Sequence, residues 1–292
     1  MKTLIQNYCS VLSTEAMYFH RCIQEAGGEA IMWHPNQQSA FDTFDYVKPD
    51  MFITHFKFLT QDIIKYLSGS KNIGMALNVT GATKENIGEI EQICSQLNLV
   101  TMFSNLYEAN NNLKGVRSKI NGIYPGADVF LPVMPTPEYK IKNCILSLDE
   151  NEQLKNIKEQ EDEYHVFSFN PSPQESYSDM TVDVTSAVSF YGKYDTCHLV
   201  GDINFVSSQI LFDSLLKADS VKIKVPDPQQ SMLEGIFGSL FREPSGDYDQ
   251  LSDVIKSQVR TRHNCFKRAS RLCRFIKNSD MSSKLEKMGE SL

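Results

Sequence analysis

The sequence predicts an α/β protein with two Rossmann-like domains facing a cleft. Three observations predict it. Short apolar runs rich in β-branched residues alternate with helical patterns in both halves of the chain. An acid-rich stretch at 149–163 separates those halves, with seven acids, two lysines and little apolar content. The 292 residues are 41% apolar and 22% charged, enough to bury the cores of two small domains. Strands alternating with helices imply parallel pairing in open, doubly wound sheets.

In the first half, strands are expected at 3–8, 30–33, 51–54, 73–79 and 100–103, with helices at 15–26, 60–67 and 84–97. Gly27-Gly28 stops the first helix, and Thr83 caps the third. The stretch 123–134, ending among Pro132, Pro135 and Pro137, reads as a last strand leaving the domain. The domains are therefore expected at 1–148 and 164–292, joined by 149–163 as a surface helix or linker. The second half repeats the alternation, with strands at 166–169, 197–200 and 221–225 and helices at 180–190, 207–217 and 231–241. A long or broken helix over 249–276 closes the chain. Its Ile255, Val259, Phe266, Cys273 and Ile276 recur at near-heptad spacing, so one face is expected to be buried.

Seven cysteines are scattered, odd in number and never spaced Cys-x-x-Cys. That spacing offers neither a disulfide framework nor a structural zinc site. With no apolar run near the ~18 residues of a membrane helix and no signal-peptide pattern, a cytoplasmic protein without a membrane partner is expected. The net charge of −7 is unevenly spread. Lys256, Arg260, Arg262, Lys267, Arg268, Arg271, Arg274 and Lys277 fall between Asp253 and Asp280 with no acid among them. One basic stripe on an acidic body suggests a local polyanion contact, although a solvated helix face has the same pattern.

In open α/β sheets, ligands bind beyond the carboxyl ends of the strands. After the first strand, Ser13, Thr14 and Glu15 open a helix whose N-terminal N–H groups suit an anion; the same residues serve equally as a cap. His55 ends the third strand between aromatic residues, as a general base or a structural ring. His198 lies in a strand and reads as core. There is no Gly-x-Gly-x-x-Gly and no Walker loop, which weakens dehydrogenase and ATPase readings. Asp247-Tyr248-Asp249 has the form of an Asp-x-Asp metal motif but follows Pro244-Ser245-Gly246, so it reads as a turn and helix cap. In the second half, a strand ends at Gly201-Asp202, followed by Asn204-Phe205 and a helix bearing Gln209 and Asp213. A carboxylate placed there can accept hydrogen bonds from both ribose hydroxyls.

The run Asp213 to Val221 fits, without gaps, the Glu-Ala-Met-Ala-x-Gly-x-Pro-Val pattern of the nucleotide-binding helix in GT-B glycosyltransferases. Asp213 stands at the ribose-binding glutamate, and Ala218 at the glycine. The region from Gly201-Asp202 through Asn204-Phe205, and separately the run 11–27 with Ser13-Thr14-Glu15, Tyr18 and Glu25-Ala26-Gly27, resemble the DNA glucosyltransferases of T-even bacteriophages. The resemblance implies a nucleotide-sugar donor, a UDP-sugar, on the C-terminal domain, with Asp213 on the ribose and Gly201, Asp202, Asn204 and Gln209 around it. It implies Ser13 and Thr14 toward the donor and Glu15 as a catalytic candidate, beside His55, which its strand-end position alone offers. It implies an acceptor hydroxyl such as that of 5-hydroxymethylcytosine in double-stranded DNA, whose phosphates would meet Arg260, Lys267, Arg271 and Arg274. No tightly bound cofactor and no metal is indicated, and the sequence does not state an oligomeric state. Two departures stand out. The segment 170–175 lacks the family's diphosphate-clamping arginines, and 78–83 lacks its catalytic aspartate. A non-catalytic nucleotide- or nucleic-acid-binding protein that kept the fold is the alternative.

Overall fold

The computed structural model describes residues 1–8, 14–110, 113–116, 119–124, 126–130, 141–147, 164–168, 194–200, 209–218, 220–224, 247–248 and 253–292. The chain forms two compact units. One takes Met1–Cys9, Thr14–Tyr124 and Cys265–Ser291; the other is built on Pro125–Asn264.

In the first unit the order is β1 (Lys2–Gln6), α1 (Glu15–Glu25), β2 (Glu29–Trp33), α2 (Ala40–Val47), β3 (Met51–His55), α3 (Gln61–Gly69), β4 (Gly74–Asn78), α4 (Lys84–Cys94), β5 (Val100–Asn105), α5 (Leu106–Asn110) and β6 (Ile120–Ile123). The sheet runs β2-β1-β3-β4-β5-β6, parallel throughout. Every residue of β3 and β4 is buried, as expected for central parallel strands covered on both faces. Trp33, Phe44 and Phe52 meet edge to face or tilted at 5.0–6.1 Å in the core on one side.

Local chemistry sets the helix ends. After α1 the N–H of Gly28 bonds Ile23 O (2.8 Å) and that of Gly27 bonds Gln24 O (2.9 Å), with Gly27 at φ 78°. This is a Schellman ending, and only glycine takes that φ without strain. Thr83 and Asn86 form the capping box of α4. Ser39 caps α2 through the Asp42 N–H. This helix at 40–47 is not among the expected elements, and it buries Ala40, Thr43, Phe44 and Val47 along one face.

In the second unit, β7 (Ile141–Ser147), β8 (Tyr164–Ser168), β9 (Tyr194–Val200), α6 (Gln209–Lys217), β10 (Ser220–Lys224), β11 (Asp247–Tyr248) and α7 (Asp253–Arg262) follow in order. The sheet runs β11-β10-β9-β7-β8, parallel except for the antiparallel edge strand β11. Each sheet therefore has its first strand inside, its second strand to one side and its third and fourth strands to the other. That order places a topological switch point between β1 and β3 in the first sheet and between β7 and β9 in the second.

Two boundary expectations are corrected. Residues 141–147, assigned by sequence to the first domain, are the inner strand β7 of the second sheet, with Cys144 opposite Cys197 and His165. The units part after Tyr124 instead of at 149–163, so the acid-rich stretch connects β7 to β8. The closing helix is also three helices: α7, α8 (Cys265–Phe275) and α9 (Ser279–Glu290). Of these, α8 and α9 belong to the first unit, where Met281 packs so closely on Gly28 that an added Cβ would lie 2.6 Å from its Cε. Ile255, Val259, Phe266 and Cys273 are buried as their spacing predicts, but they serve two different cores. Of the expected strand 123–134, β6 ends at Ile123, and 131–134 lies outside the described residues, as do the expected helices at 180–190 and 231–241.

Candidate functional site

The carboxyl edge of the first sheet carries a buried polar network centred on Glu15, the first residue of α1. Its Oε1 accepts from the Tyr8 hydroxyl (3.0 Å) and Asn78 Nδ2 (2.6 Å), and its Oε2 accepts from the Tyr18 hydroxyl (3.2 Å) and Arg268 Nε (2.5 Å). Arg268 Nη2 completes the ion pair. Asn78, last residue of β4, is oriented by the Thr80 N–H donating to its Oδ1 (2.9 Å), which turns the amide NH₂ toward Glu15. Arg268 Nη1 donates to the carbonyls of Ile123 (3.1 Å) and Tyr124 (2.9 Å). Both members of the pair are buried, Glu15 at 3% and Arg268 at 3% exposure. Burial alone would weaken the Arg268 proton, but the neighbouring Glu15 carboxylate outweighs it and raises the pKa. Burial also raises the Tyr18 hydroxyl well above its ordinary value. Sequence spacing could not find Arg268's role, because its partner lies 253 positions away.

His55 ends β3 as expected, but as a buried neutral ring. Its Nδ1 accepts from the Lys57 N–H (3.3 Å), and its Nε2 lies 3.0 Å from Thr80 O, which requires a proton on Nε2. Tyr8, Phe56 and Phe58 surround it at 4.8–6.3 Å between ring centres. Burial lowers its pKa to about 3, with Thr80 opposing and Lys57 assisting. The expectation of a general base is corrected: so weak a base removes protons poorly near neutrality. Thr14 is buried ahead of α1, and its side chain makes no cap hydrogen bond. Ser13 lies outside the described residues.

In the second unit, Asp213 sits on α6, the next described element after β9. The expectation that it opens onto a ligand is corrected, because it is only 4% exposed. Its Oδ1 accepts from the Asp128 N–H (2.7 Å), its Oδ2 accepts from Gln209 Nε2 (3.0 Å), and Lys217 Nζ lies 3.8 Å away. Burial raises the Asp213 pKa to about 6; Lys217 opposes the rise and Asp128 adds to it. Gln209 is likewise buried, its amide spent on Asp213. Gly201, Asp202 and Asn204 lie outside the described residues. Asp247 and Tyr248 form the edge strand β11 in place of the expected turn. Among the described residues no three His, Cys, Asp or Glu side chains gather as a metal site.

The basic run of the sequence falls on helices of both units. It is divided at Asn264, with Arg260 on α7 in the second unit and Lys267, Arg271 and Arg274 on α8 in the first. Lys267, expected on phosphates, is instead paired with Glu286 (2.6 Å) and Glu290 (3.1 Å) of α9 and is 12% exposed. The sequence stripe has no acid, but the following helix folds back and brings two. Burial works to raise the Glu286 pKa, yet hydrogen bonds from Lys267 and Ser270 outweigh it and lower the value. Arg271 stands over the Tyr124 ring at 5.4 Å, and Arg260 and Arg274 are exposed.

These features define an α/β protein of two doubly wound units, each with its switch point beside a helix that bears a buried carboxylate. No family model and no curated protein matches the sequence. Among solved structures, the chain is similar over its full length and theirs to the DNA-modifying enzyme β-glucosyltransferase, solved with and without uridine diphosphoglucose (13% identity, TM-score 0.48). It is similar to UDP-GlcNAc 2-epimerase from Neisseria meningitidis over 97% of this chain and 98% of that one (11% identity, TM-score 0.40). The calicheamicin glycosyltransferase CalG4 matches over 100% and 98% (10% identity, TM-score 0.31). No described helix is long and apolar enough to cross a membrane.

Proposed function

We propose that this chain is a sugar-nucleotide-dependent glycosyltransferase, with a UDP-sugar on the second unit and the acceptor on the first. The observation that carries the reading is where the two resembling segments fall. The first covers α1, which follows β1, and the second covers α6, which follows β9. Both strands border a switch point, where open α/β sheets take their ligands. In this reading Gly201, Asp202 and Asn204 meet the donor from the segment between β9 and α6, while Asp213 supports them from inside the unit. Ser13 and Thr14 face the donor from the segment between β1 and α1. Glu15 fixes Tyr8, Tyr18 and Asn78 at the acceptor side. The acceptor is a hydroxyl such as that of 5-hydroxymethylcytosine in duplex DNA, with Arg260, Arg271 and Arg274 toward its phosphates.

A second reading, a binding protein without turnover, is favoured by one observation. Glu15 is saturated by its partners and His55 is held near pKa 3, so neither candidate is poised as a base near neutrality. Incubating the protein with UDP-glucose, with and without hydroxymethylated duplex DNA, separates the two. UDP release that depends on acceptor supports transfer, whereas a raised Tm with no UDP release supports binding alone.

A further inference from the structure

Opposite its buried face, α2 exposes Phe41, Asp42, Asp45 and Tyr46. At about 100° per residue the exposed arc runs Phe41, Asp45, Asp42, Tyr46, so two acids stand between two aromatic rings. Tyr46 is 84% exposed, more than any other large apolar side chain described on the surface. Phe41 meets Tyr66 edge to face at 5.5 Å, and Tyr66 stacks on the core ring of Phe44 at 4.8 Å. The exposed ring is thus the outer end of a stack that begins inside the unit. Both carboxylates are held in place. Asp42 Oδ2 accepts from Ser39 Oγ (2.6 Å), and Asp45 Oδ1 accepts from the Tyr66 hydroxyl (2.7 Å). Among the described residues neither acid is paired with a lysine or arginine.

We propose that this face of the first unit docks a protein segment carrying arginines close together in its sequence. Residues four apart are neighbours on a helix, so Phe41 with Asp45, and Asp42 with Tyr46, form two pairs of ring and carboxylate. A guanidinium is planar, so it lies on a ring while its N–H fork meets the carboxylate beside it; a lysine ammonium has no such plane. Exposed acids ordinarily lose side-chain freedom when they pair, but Ser39 and Tyr66 already fix these two, which lowers that cost. The two unpaired charges turn away nucleic acid and acidic partners. The inference is independent of the proposed activity.

Fluorescence anisotropy on the full chain tests it, with a labelled peptide of alternating arginine and glycine and its lysine counterpart as probes. The wild type should bind the arginine peptide saturably at low salt, and more tightly than the lysine one. Tyr46→Ser should weaken binding roughly threefold, the scale of an exposed cation–ring contact. Asp42→Asn with Asp45→Asn keeps the acceptors for Ser39 and Tyr66, removes both charges, and should weaken binding roughly fivefold. Glu85→Gln with Glu89→Gln removes the same charge from the exposed face of α4 and should change affinity less than about twofold. All these side chains are exposed, so the variants keep the fold. No saturable binding by the wild type overturns the proposal. So does wild-type affinity in both the Tyr46 and the aspartate variants, or a loss in the α4 variant equal to that in the aspartate variant, which would reduce the effect to net charge.

Discussion

Lowering the pH should destabilise the first unit through His55. The ring is 6% exposed, accepts the Lys57 N–H on Nδ1 and donates from Nε2 to Thr80, so the fold holds its neutral form, with a pKa of about 3 against an ordinary 6.5. Above pH 6.5 neither the folded nor the unfolded chain protonates this ring, and it contributes no pH dependence. Below 6.5 the unfolded chain binds a proton that the folded chain refuses, so stability falls as pH falls, until the folded pKa is reached. The slope approaches ~1.4 kcal/mol per pH unit, and between pH 7.5 and 5.5 the loss comes to about 1.4 kcal/mol. Asp213 acts in the opposite sense over part of this range, so the comparison must be made between proteins. His55→Gln keeps an acceptor and a donor but cannot take the proton. Urea unfolding of both proteins at pH 7.5 and 5.5 should show the wild type losing about 1.4 kcal/mol more than the variant. Parallel losses in the two proteins would refute the buried, neutral assignment of His55.

Arg268→Met should cost ~3–5 kcal/mol in urea unfolding, because it strands the Glu15 carboxylate and two backbone carbonyls, and the double variant Glu15→Gln/Arg268→Met should recover much of that loss. A cost below ~1 kcal/mol would mean the pair is not buried as described. Asp213, with its folded pKa raised to about 6, contributes stability that is full below its unfolded pKa and lost as pH rises through 6. Wild type measured against Asp213→Asn should therefore weaken between about pH 5 and pH 7, and a flat difference would contradict the raised pKa. Arg271→Glu with Arg274→Glu should reduce any duplex-DNA affinity and flatten its salt dependence. Lys267→Ala should leave both nearly unchanged, since its charge is already spent on Glu286 and Glu290; equal losses from both changes would restore the single basic stripe.

The parts of the fold written in local sequence were legible. Strand-helix alternation, the Gly27-Gly28 stop and the Thr83 cap are each decided within a few residues, and each appears where expected. Domain boundaries were not legible, because they depend on which strand pairs with which. An acidic stretch looks the same whether it joins two domains or two strands of one sheet, and only the pairing of β7 with β8 and β9 decides. The site was legible in position but not in environment. Glu15 starts a helix, His55 ends a strand and Asp213 lies mid-helix, yet each is turned inward by partners far along the chain: Arg268, Thr80 and Asp128. The basic stripe failed for the same reason. Lys267 and Arg268 lie in a stretch of sequence that holds no acid, and their acids arrive from α9 and α1.

The central claim is that the chain transfers a sugar from a nucleotide donor to a hydroxyl. It is tested most directly by incubating the purified protein with UDP-glucose and hydroxymethylated duplex DNA, then digesting the DNA and weighing its nucleosides by mass spectrometry. The account predicts a nucleoside heavier by one hexose residue, formed together with an equal amount of UDP and absent when unmodified DNA is the acceptor. Saturable UDP-glucose binding with no mass-shifted nucleoside from this or any other hydroxyl acceptor supplied would contradict transfer and leave the binding protein standing.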